Sequence, residues 1–94
     1  MADSQKKAYH ITIHGRVQGV GFRYATARTA RKLGITGWVR NTPEGTVELC
    51  GEGSPELISK LVSWLEKGPP GASVTKLEKR PAAVQGTFRS FPIE

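Results

Sequence analysis

Gly15-Arg16-Val17-Gln18-Gly19-Val20-Gly21-Phe22-Arg23 is the stretch on which the reading of this chain turns, because the hydrophobic period is two before it and 3.6 after it. Upstream, over Ala8–His14, Tyr9, Ile11 and Ile13 alternate with His10, Thr12 and His14, the pattern of a half-buried strand. Downstream, Phe22, Ala25, Thr26, Thr29 and Leu33 fall at helical spacing, Arg28, Arg31 and Lys32 face water, and Gly34 is placed to stop the helix. The nonapeptide therefore joins a strand to a helix.

Its composition is unusual for a helix start. No Ser, Thr, Asp or Asn lies between Gly15 and Phe22 to accept the free N–H groups of the first turn. The amides of Gln18, Gly19, Val20, Gly21 and Phe22 are thus available to a ligand. Glycines at 19 and 21 permit positive φ, so that successive N–H groups can converge on one concavity. Arg23 falls in the first helical turn, where the helix dipole disfavours a cation unless an anion is bound beside it. A phosphate would satisfy amides, dipole and guanidinium together. On its own the loop also reads as a tight turn followed by a solvated arginine. Two common phosphate motifs fail: no Lys-Ser or Lys-Thr follows for a P-loop, and the third glycine of a dinucleotide fingerprint falls on Tyr24.

The rest of the chain supplies the layers. Ile35–Asn41 reads as a strand, Thr42-Pro43-Glu44-Gly45 as a turn, and Thr46–Cys50 as a returning strand with Val47 and Leu49 packed and Glu48 and Cys50 on an open, wet face. Ser54 and Pro55 mark a second helix start, Leu57, Ile58, Leu61, Val62 and Leu65 form its apolar stripe, and Gly68-Pro69-Pro70-Gly71 ends it. Val74–Arg80 is expected to be a strand, and Thr87–Ile93 a short final strand whose Pro92 belongs on an edge. This order predicts the α+β class: a ferredoxin-like βαββαβ sandwich, an antiparallel sheet with two helices on one face, plus a short C-terminal edge strand. With 94 residues, a single domain over residues 8–94 is expected, preceded by a flexible segment over residues 1–7.

Charge and composition narrow the function classes. The net charge is +6, and it is uneven: residues 1–43 hold eight lysines and arginines against Asp3 alone, a balance of +7, while residues 44–94 come to −1. That excess keeps the chain soluble and can steer anions towards the glycine loop. An RNA reader on the same scaffold would also be basic, but it would show stacking aromatics on its central strands, and Thr46–Cys50 has none. One cysteine excludes an internal disulfide, no stretch reaches the length of a membrane span, and Met1–Lys7 lacks the apolar core of a signal peptide; the cytoplasm is the expected address. Cys50 does not start a Cys-x5-Arg phosphatase motif, because Glu56 holds the arginine position. His10 and His14 read as surface histidines, Glu48 and Glu52 as a solvated hairpin face, and Trp38 and Trp64 as packing residues. Asn41, just before Thr-Pro-Glu-Gly, reads equally as ordinary turn composition and as a functional group.

The nonapeptide, followed by Gly37-Trp38-Val39-Arg40-Asn41, Gly45-Thr46-Val47-Glu48, Trp64-Leu65, Gly68-Pro69-Pro70-Gly71-Ala72 and Phe91-Pro92-Ile93, resembles the acylphosphatase family from about Ala8 onward. The resemblance implies hydrolysis of the carboxyl-phosphate bond of small acyl phosphates to a carboxylate and inorganic phosphate. It implies no metal or other cofactor, no nucleic-acid or membrane partner, and a monomer. It assigns Arg23 and the loop amides to phosphate binding and Asn41 to holding the attacking water. The chemistry suits so sparse a site. The leaving carboxylate has a conjugate acid of pKa roughly 4 to 5, so it departs without a general acid, and positioning with charge stabilisation can supply most of the effect.

Overall fold

The structure, a computed structural model, describes residues 6–94. Chain order is β1 (Lys7–Arg16), α1 (Phe22–Leu33), β2 (Thr36–Asn41), β3 (Val47–Gly53), α2 (Pro55–Lys67) and β4 (Ser73–Ala82). The strands form one antiparallel sheet in the order β2-β3-β1-β4. This is the expected βαββαβ sandwich. β1 begins at Lys7, paired with Gly53, one residue inside the segment expected to be flexible; Met1 to Gln5 lie outside the described residues.

Strand alternation sets the two faces of the sheet. Ile11, Ile13, Val39, Val47 and Leu49 point to the helices and are buried with Ile58, Leu61 and Leu65 of α2. The stripe read for α2 holds, with Leu57 and Val62 as its half-buried flanks. Ser54 caps that helix, its Oγ accepting from the Leu57 N–H at 3.3 Å. The stripe of α1 is rotated from the expected one: Phe22, Thr26, Ala27 and Ala30 are buried, while Ala25 and Thr29 sit at its margin. Two alanines give little hydrophobic signal in the sequence, yet their small side chains let the helix lie close on the sheet.

The C-terminal segment departs from the expected strand. Backbone bonds run from Gly37 N to Ser90 O (2.9 Å), from Val39 N to Pro92 O (3.1 Å) and from Glu94 N to Val39 O (2.7 Å), so the segment lies parallel along the outer edge of β2. Only one bridge forms, Val39 with Ile93. The missing rung falls at Pro92, whose nitrogen has no hydrogen to give back to Gly37. Phe91 anchors the segment and is fully buried.

To reach β2 from β4, the chain crosses the sheet, and Glu52 holds the crossing. Its carboxylate accepts from Gln85 N (2.7 Å) and Gly86 N (3.2 Å), and the residue is 1% exposed. Neighbouring Gly51 and Gly53 abut Ile35 on the helix side, which puts Glu52 on the opposite face. The hairpin face read as solvated is therefore covered at this end. Cys50 is also buried, in register between His10 and Trp38, rather than on an open face. Burial, then the nearby Glu52 charge, pushes its thiol pKa up, away from reactive thiolate.

Candidate active site

The topology brings the two sequence motifs together. β1 and β2 both run antiparallel to β3, which lies between them, so they point the same way and end at one edge of the sheet. Arg16, the last residue of β1, and Asn41, the last of β2, thus lie at the same end of the sheet with β3 between their strands, although 25 positions separate them in the chain. The loop leaving β1 turns back over that edge into α1.

Gly19 and Gly21 both take φ 77°, the left-handed region that glycine reaches without strain. A Cβ at either position would meet nothing within 4 Å. The glycines are needed for backbone direction, and the space in front of them is open. Gly21 is the N-cap of α1, and among the described residues no side chain caps the first turn; the turn itself holds no acidic residue. The free-donor helix start expected from composition is what the chain builds.

A cavity of about 210 Å³ sits at this helix start, lined by Val17, Gly19, Gly21, Phe22, Arg23, Tyr24, Asn41 and Ile93. Six of its lining residues come from the loop and the first turn, and Asn41 enters from the sheet layer. Arg23 donates Nη1 to the Glu94 main-chain oxygen at 3.1 Å, its one bond among the described residues. One of five guanidinium N–H groups is thus engaged. Asn41 Oδ1 is buried without a hydrogen-bond partner among the described residues. A buried acceptor left alone costs about 1–3 kcal/mol, so Asn41 is held at the cavity at some expense to stability.

The side chains of Gln18 and Val20 turn away from the cavity. Val20 packs on the core. Gln18 turns its side chain to the β2–β3 turn, where Nε2 donates to both Thr42 O and Thr46 O at 2.9 Å. In the same turn Thr42 N donates to Thr46 O at 3.0 Å, and the two threonine hydroxyls meet at 2.6 Å. One amide group therefore clamps the loop to the turn that follows Asn41. The sequence reading gave Gln18 a backbone role alone; its second role depends on a contact across 24 and 28 positions.

A larger groove of about 590 Å³ lies on the far face of the sheet, around His14, Arg40, Glu44 and Glu48. Several of its charges already satisfy one another. Arg40 Nε donates to Glu48 at 2.7 Å, His10 meets the other Glu48 oxygen at 2.5 Å, and His14 meets Glu78 at 3.0 Å. The two histidines, read as surface residues, are paired with carboxylates from other strands. Burial acts to raise the Glu48 pKa, but the bonds from Arg40 and His10 outweigh it and hold the carboxyl below its ordinary value. Trp38 lies on this face too, with Arg40 5.0 Å over its ring.

An uncapped helix start, two left-handed glycines, one arginine and a facing amide side chain, set on an antiparallel βαββαβ sheet, define a small α+β domain with a donor-lined cavity at a helix start. Residues 9–93 match the family model Acylphosphatase, and the chain belongs to that family. Among curated relatives, an acylphosphatase of Methylococcus capsulatus is 49% identical over 87 residues, covering 93% of this chain and 95% of the relative. One from Thermococcus kodakarensis is 52% identical, covering 82% and 88%. The solved structure of an acylphosphatase from Coxiella burnetii superposes with a TM-score of 0.92 at 35% identity, covering 97% of this chain and 95% of that one.

Proposed function

We propose that this protein hydrolyses small acyl phosphates to a carboxylate and inorganic phosphate, with Arg23 and the amides of residues 18–22 binding the phosphoryl group and Asn41 orienting the attacking water. The observation that carries the reading is the convergence of Arg23 and Asn41, from α1 and β2, on one cavity at an uncapped helix start. Close relatives bearing the acylphosphatase name support it.

In this scheme the loop amides and Arg23 spread their donors over the three non-bridging oxygens, where charge resides in a loose transition state. Asn41 holds a water on the sheet side of the phosphorus through its free Oδ1. As water attacks, the bond from phosphorus to the acyl oxygen breaks and its electron pair leaves with the carboxylate. One water proton passes to a phosphate oxygen, so that inorganic phosphate leaves as its protonated anion. The leaving group needs no proton, and no step requires a metal or other cofactor.

We further read the protein as a cytoplasmic monomer that engages neither membrane nor nucleic acid. Among the described residues no helix is long and apolar enough to cross a membrane. The test of the catalytic reading is phosphate release from benzoyl or acetyl phosphate in excess chelator. Wild type should turn over, Arg23→Ala should lose about 10²–10³-fold in kcat, and Arg23→Lys should recover little, since a point charge does not reproduce a planar fork. Absence of wild-type turnover, or full activity in Arg23→Ala, would sink the reading.

A further inference from the structure

Tyr24 also borders a second groove of about 280 Å³, whose walls include Arg28, Lys32, Trp64, Pro69 and Pro70. Tyr24 lines both spaces and is 63% exposed, an unusual setting for a large aromatic ring. Trp64, read from sequence as a packing residue, packs against Phe22 (centroids 5.9 Å apart) and also borders this groove.

The cations of α1 divide into two sets. Arg23 and Arg31 bond main-chain oxygens of the C-terminal segment, Glu94 O at 3.1 Å and Phe91 O at 2.9 Å. Arg28 and Lys32 line the groove, and among the described residues neither has an ion-pair partner. They lie four residues apart, on one helix face, with no acid among the groove's lining residues.

We propose that this groove is the acyl-group subsite of the enzyme, and that it selects acyl phosphates whose acyl part is flat or extended and ends in a second anionic group; this inference rests on the acylphosphatase reading above. Direction supports it. An in-line displacement needs water and leaving group on opposite sides of phosphorus. Asn41 reaches the cavity from the sheet layer and Tyr24 from the helix layer, so an acyl group leaving away from Asn41 passes Tyr24 into the groove. Distance supports it as well. At 1.5 Å per residue, Arg28 and Lys32 stand about 7.5 and 13.5 Å further along α1 than Arg23, the interval a ring with a distal carboxylate spans. Tyr24, Trp64 and the two prolines give that ring apolar walls, and the two cations meet its charged end.

The experiment compares 4-carboxybenzoyl phosphate with 4-methylbenzoyl phosphate, matched in shape and differing in the distal charge, on wild type and on Arg28→Ala/Lys32→Ala. Both positions are exposed, so the variant should fold. The expected result is that the ratio of kcat/KM for the carboxy over the methyl substrate falls about 3- to 10-fold in the variant, mainly through KM, and falls in wild type as salt is raised. Comparing one ratio between two proteins cancels the electronic effect of the substituent. If wild type hydrolyses both substrates and the ratio is the same in the variant, the subsite is refuted while the acylphosphatase reading stands. If wild type hydrolyses neither, nor acetyl phosphate, the parent reading fails and the subsite with it.

Discussion

Asn41 shows how a residue whose sequence context is ambiguous becomes specific in three dimensions. Before Thr-Pro-Glu-Gly it is an ordinary turn asparagine; at the end of β2 it faces the first turn of a helix that precedes it in the chain, with Oδ1 buried and without a partner among the described residues. A purely structural asparagine would use that oxygen for a turn bond. Replacing it by alanine should therefore lower kcat by about 10²-fold or more while the inhibition constant of inorganic phosphate stays within a few-fold of wild type. An equal loss in both would mark Asn41 as a phosphate contact. Gln18 is the counterexample for legibility. Its backbone place in the loop could be read from the local pattern, but its clamp on Thr42 and Thr46 could not, because nothing near Gln18 encodes the approach of the β2–β3 turn. Glu52 and the two histidines escaped for the same reason, their partners lying 33 to 64 positions away.

At the scale of elements, the informative signals were rules of local backbone chemistry. A missing cap before Phe22, Ser54 with Pro55 before α2, and Gly34 after α1 each state where N–H or C=O groups will go, and the termini fall there. Strand lengths were less legible: β3 runs on to Gly53 and β4 to Ala82, through glycines and Pro81 that propensity would exclude. β4 tolerates Pro81 because it is an edge strand, and β3 tolerates its glycines because Ile35 packs against them. α1 itself gives a direct test. Gly21→Ala adds a methyl that touches nothing, so its cost is confined to the backbone at φ 77°, about 1–2 kcal/mol. The variant should fold with a lowered Tm. Its activity should drop far more than its stability, since relaxing that φ turns the first-turn amides away from the cavity. Unchanged kcat/KM would show that the amides do not bind the substrate.

Across the whole molecule, the far face of the sheet sets the response to acid. Glu48 joins β1 to β2 across β3 through His10 and Arg40, and its carboxyl is held below the ordinary glutamate value. The unfolded chain then binds a proton more readily than the folded one, so this contribution is complete at neutral pH and is lost as pH falls below about 4.3. Glu78, lowered by His14 and then Lys76, acts in the same direction, though solvent screens it. Thermal unfolding followed from pH 7 to pH 3 should show a steepening fall in Tm, and Glu48→Gln should flatten part of it while lowering Tm at neutral pH. A parallel curve for the variant would mean that other carboxylates carry the acid sensitivity.

The lone bridge at Ile93 matters for what happens between molecules. A sheet has two outer rims, and here each is guarded differently. β4 carries Lys76, Lys79, Arg80 and Pro81, charges and a ring that repel an incoming strand. β2 has no such deterrents over Gly37–Val39; its outward N–H groups are simply kept occupied by Ser90 and Pro92. A proteolytic cut ahead of Ser90 would release that cover and leave a bare template on which strands from other copies could add. Light scattering and thioflavin fluorescence after such a cut should rise with protein concentration, making the last few residues as much a safeguard against fibre growth as a wall of the cavity.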